Sequence, residues 1–107
     1  TADHATTSAG RIVLQTNQAA VADGDRIGQI DFQASNETGA DALLVSASIW
    51  AEADDTFDAT GNETELVFAT GASETAAEQM RLTSSGQLGI NIATPASLLG
   101  SVRSRAS

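Results

Sequence analysis

From Arg11 onward, apolar residues recur at every second position rather than every third or fourth. Successive side chains of a strand point to opposite faces, so this period predicts β-strands that bury one side. Six runs carry it. Residues 11–16 place Ile12 with Leu14, and 26–35 align Ile30, Phe32 and Ala34 against Gln29, Asp31 and Gln33. The longest, 43–53, sets Leu43, Val45, Ala47, Ile49 and Ala51 on one side and Ser46, Ser48, Trp50 and Glu52 on the other, so that Trp50 is expected to point away from the main core. Residues 64–70 join Leu66 with Phe68, 79–83 join Met80 with Leu82, and 88–92 join Leu88, Ile90 and Ile92. Gly28 breaks the phase, because Ile27 falls opposite Ile30, and a bulge with a kink is expected there.

Turn-forming residues separate the runs: Asp23-Gly24-Asp25, 36–39, 54–62 around Gly61, 71–73, and Ser84-Ser85-Gly86. Helical signals are short. Thr75 followed by Glu78 fits a capping box of one turn at most. Thr94-Pro95 ahead of Leu98, Leu99 and Val102 predicts a brief C-terminal helix. Small polar residues without period fill 1–10 and read as a flexible arm, leaving 11–95 as a β-rich domain and 96–107 as a short extension. The fold class predicted is all-β, an antiparallel meander of five or six strands.

Such a meander needs a cover for its apolar face, and no long amphipathic helix is available to supply one. The cover must be more sheet, either from the chain folding over into a sandwich or from identical neighbours in a β-prism. Val13, Leu44, Trp50 and Val67 on the opposite faces favour neighbours. Closing sheets into a threefold ring would also hide strand edges.

Charge narrows the partners. Among 107 residues, 14 are acidic and 5 basic, a net charge of −9, which repels phosphate backbones and anionic lipid heads. Neither nucleic acid nor membrane insertion is expected. The chain has no cysteine, hence no disulfide and no thiolate zinc site. Without a membrane-length apolar run or a signal peptide it reads as soluble, and its first residue, Thr1, suggests a piece of something longer.

Candidate chemistry is sparse. Asp23 and Asp25, or the cluster Glu52, Asp54, Asp55 and Asp58, offer oxygens to calcium, but neither has EF-hand spacing and solvated acidic turns are the ordinary reading. His4 beside Asp3 lies in the arm, where no triad could be held rigidly. No nucleophile–base pair, metal spacing or phosphate loop appears, so no enzyme activity and no cofactor are expected. Trp50 is a candidate anchor at a subunit interface or a stacking surface for a glycan. Arg26 and Arg81 are expected to pair with acids across strands in exposed positions worth about 0.2–1 kcal/mol each.

The stretches DGDRIGQIDFQASN and EQMRLTSSGQLGINIATP, taken in that order along the chain, resemble segments of bacteriophage tail-fibre and tail-spike proteins. DGDRIGQIDFQASN, 23–36, is similar to a recurrent segment in which an acidic turn enters an isoleucine-glycine-polar-isoleucine strand. EQMRLTSSGQLGINIATP, 78–95, resembles the methionine-arginine strand, Ser-Gly hairpin and glycine-isoleucine strand that follow it. The intervening IWAEADDTFDATGNETELVFAT fits the same order. Gln79 stands where arginine is common, and GINIATP departs from the usual ending. The serine-lysine chaperone that often follows in this family finds no lysine in this chain. The resemblance implies a homotrimeric virion component of a tail or fibre appendage, which spaces or supports host attachment in company with other virion proteins. A carbohydrate-binding adhesin touching a host-surface glycan, or a capsid-decorating protein, is the alternative.

Overall fold

The computed structural model describes residues 9–34, 39, 43–91 and 101–102. It is all-β: five strands in chain order form one open antiparallel sheet, β1 (Arg26–Gln33), β2 (Val45–Ala53), β3 (Thr64–Thr70), β4 (Ala77–Leu82) and β5 (Leu88–Ile90). A two-residue sixth strand, β6 (Ser101–Val102), lies parallel to β5. Among the described residues there is no α-helix. Thr75 to Glu78 does not form the helical turn expected there, since β4 begins at Ala77. The C-terminal helix expected over 94–102 falls mostly outside the described residues, and Val102, inside them, is in β6.

The period-two runs became strands in five of their six expected places with ends shifted by at most two residues; β4 starts two residues early and ends one early, and β5 stops at Ile90. Asn91 ends β5 with φ of 60°, a left-handed conformation that asparagine tolerates better than most residues. Residues 11–16 have no regular secondary structure and join no strand. Their pattern is that of a strand, yet nothing among the described residues supplies a ladder to pair with it.

Side-chain rows run straight across the sheet. Ile30, Ile49, Phe68, Met80 and Ile90 are register partners in turn, and the next row holds Gly28, Ala51, Leu66, Leu82 and Leu88. The opposite face carries Gln29, Trp50, Val67, Arg81 and Gly89 in one row and Asp31, Ser48 and Ala69 in another. Alternation follows the expected pattern through most of each strand, but a slip between Phe32 and Gln33 leaves Ser46 extra, so Val45 pairs with Gln33 on the Trp50 side rather than joining Ala47 and Ile49 as expected. Burial does not follow that pattern. The enclosed interior is Trp50, Val67 and Ala69, with Ala76 packed against them, whereas Ile30, Phe32, Leu66 and Leu82 are exposed. Among the described residues nothing lies over the more apolar face, while a short hook and long arginine stems close the other.

That hook is residues 71–76. Gly71 N donates to Ser46 O at 2.9 Å and Ala76 N to Val45 O at 2.8 Å, which brings Ala76 over the Trp50 cluster. A Cβ at Gly71 would run into the carbonyl oxygen of Glu74, a backbone atom that cannot swing away. Gly71→Ala is expected to cost about 1–3 kcal/mol, as overpacking does. Urea midpoints of the two chains check it, and equal midpoints would mean the hook yields freely.

Candidate functional site

Two of the three register slips decide how charge is distributed. Between Arg26 and Gly28 the register slips by one residue, so Ile27 is the extra residue and the expected irregularity at Gly28 is present. Without it Arg26 would share the face of Gly28 and Ile30. With it, Arg26 lies opposite Glu52 and sets its guanidinium 3.6 Å from the centre of the Trp50 ring. The second slip lies between Phe68 and Ala69, where Gln79 is extra. It moves Glu78 from the face of Met80 to that of Arg81. As a result, the five antiparallel strands present no charged side chain on their apolar face.

On the other face the charges are knitted together. Arg81 donates to Glu65 and, at 2.7 Å from Nε, to Glu78, and its Nη1 lies 3.7 Å from Glu52 Oε2. Glu52 also accepts the indole N–H of Trp50 at 2.9 Å. The Arg81 side chain is 14% exposed and that of Glu65 9%, so this pairing is sheltered rather than the exposed one expected. Arg26 departs from expectation in another way. Its partners are the Trp50 ring and the Gln29 side-chain oxygen, at 2.7 Å, rather than a carboxylate. Beside them the buried Ser48 hydroxyl donates to Asp31 at 2.7 Å, and that bond, with one from Gln29, lowers the Asp31 carboxyl.

Hydrogen bonding to Glu78 above all holds Arg81 firmly protonated. Burial pushes Glu65 above the usual carboxylate value, against the pull of Arg81. The folded chain thus holds the Glu65 proton more tightly than the unfolded chain. Its contribution favours folding below the unfolded value, about 4.3, and is lost as pH rises through the folded one. Glu65→Gln removes that contribution. The stability difference between the Glu65→Gln and parent chains should therefore move in favour of the variant from pH 4 to 7, and parallel urea curves across that span would contradict it.

The calcium candidates are already engaged or exposed. Asp25 accepts from Gln18 Nε2 at 2.6 Å and Ala22 N at 2.9 Å, closing a turn in which Gly24 takes φ of 91°. Asp23 sits exposed at the head of that turn. Asp54 accepts from Ser84 Oγ, Asp55 from Thr56 N, and Asp58 from Thr60 and Gly61, whose backbone N–H groups lower its carboxyl. Among the described residues no group of three or more His, Asp or Glu is placed to hold a metal ion. His4 and Asp3 lie outside the described residues.

Trp50 is 7% exposed. It borders a shallow depression of about 220 Å³ with Arg26, Gln29, Ser48, Thr75 and Ala76, and the arginine covers one face of its ring. The other depression of note is on the apolar face, about 150 Å³, lined by Leu14, Ile27, Gly28, Ile30, Ile49 and Leu66. It offers shape and hydrocarbon but no reactive group. The sequence reading pointed to neither the Gln79 slip nor the shelter of Glu65, since neither leaves a periodic signal.

No known family model matches the chain, and no curated protein matches it in sequence.

Proposed function

We propose that this chain is a structural module of a fibre-like appendage, a homotrimer whose subunits meet through the apolar faces of their sheets in a sandwich or prism. The observation that carries the reading is a face without charge on a chain of net charge −9. Copies with that much negative charge repel one another over most of their surface, and the rows from Ile30 to Ile90 and from Gly28 to Leu88 offer the approach that does not. Exposed Ile30 (44%), Phe32 (51%), Leu66 (38%) and Leu82 (42%) make that face costly to leave in water. The order of its strand and turn motifs, which resembles phage tail fibres, supports a virion appendage and a spacing role in host attachment.

Sedimentation or light scattering of the purified chain at micromolar concentration tests it. A particle of three chains is the expected outcome. A stable, folded monomer would remove the basis of the reading.

A further inference from the structure

We propose that residues 11–16 tie one copy to the next, with Ile12 of each chain entering the apolar hollow beside Gly28 of its neighbour. This rests on the trimer reading above and names the contact within it. Ile12 is 87% exposed, Val13 64% and Leu14 47%. The segment has no regular secondary structure, and residues 11–15 make no hydrogen bond to another described residue. It therefore carries unburied hydrocarbon and unpaired backbone together, the two deficits that docking on another chain relieves at once.

Only one end of the segment is anchored at home. Leu14 lies so close to Gly28 that a Cβ added there would stand 2.6 Å from the leucine Cβ. Ile12 is two residues farther out, a reach of roughly 7 Å at strand rise, and finds no cover in its own chain. Next to the anchor is the 150 Å³ hollow, lined by apolar side chains and open to a single aliphatic side chain.

Charge and symmetry choose the occupant. An acidic partner gains nothing from a face without cations, and a basic one would be drawn to the charged faces of this −9 chain instead. A second copy supplies the matching uncharged knob. Knob and hollow are different places on one chain, so the contact can repeat head-to-tail and close into the threefold ring of the trimer reading.

The chain has no cysteine, so any introduced thiol stands alone. Full-length Ile12→Cys and Ile30→Cys chains, one carrying a mass tag, are refolded together, sized and oxidised. The expected product is a disulfide-linked pair of one chain of each kind, several times more abundant than that from Ile12→Cys mixed with Ala59→Cys, whose site is an exposed loop. Gly28→Val, which evicts Leu14, should keep the strand signal in circular dichroism and reduce the cross-link roughly tenfold. Trimers without the selective pair would overturn this contact and leave the trimer standing. Monomers alone would overturn both.

Discussion

An Ile30→Asp chain is expected to run as a folded monomer under conditions in which the parent chain associates. Ile30 begins the row that crosses all five antiparallel strands, lines the apolar hollow, and is 44% exposed in the single subunit. In one chain an aspartate there remains in water and disturbs little, so the sheet should form. Between copies the same carboxylate would lie in hydrocarbon without a cation, at a cost of about 3 kcal/mol per contact, or roughly a hundredfold in association. Val67→Asp is the contrast. Val67 is fully buried on the opposite face, and a charge there should unfold the chain whatever its assembly. Light scattering with circular dichroism separates the two outcomes, and an Ile30→Asp chain that still forms trimers would move the contact off this face.

Arg81→Met is expected to be the most damaging change on the charged face. It leaves the sheltered Glu65 without its cation and frees Glu52 and Glu78 to repel it. Removing one partner of a buried pair costs about 3 kcal/mol, which for a domain of this size lowers the melting temperature by about 10–20 °C. The double change Arg81→Met with Glu65→Gln should recover a large part of the loss, because a neutral amide needs no counter-charge. Melting must be compared at one protein concentration, since association and folding are linked. A loss within 2 °C would show that water, rather than Arg81, compensates Glu65.

The two substitutions probe faces that differ in kind, and that difference is only partly legible in the chain. Period-two alternation names which residues share a face for β3 and for β2 from Ala47 onward, because every residue of a regular strand obeys it. It does not say which face ends up covered. Ile49 and Trp50 are adjacent in sequence and both apolar, yet the side of Trp50 is the enclosed one, because the 71–76 hook and the stems of Arg26 and Arg81 happen to reach it.

Bulges show the same boundary between local and tertiary information. Ile27 was readable because Gly28 interrupts a clean alternation. Gln79 was not, since no glycine or proline marks it and only pairing with Phe68 and Ala69 exposes the extra residue. Both slips carry a charge across the sheet, and that result depends on partners far away in sequence.

From sequence alone come the all-β class, the positions of the five strands and the turns between them, because side-chain period, glycine and asparagine act over a few residues. The tertiary structure alone decided which side is closed, where Arg26 and Glu78 point, and that 11–16 finds no strand partner among the described residues. Those outcomes depend on cross-strand register and on which surfaces one chain has enough material to cover, and neither is a property of any short segment.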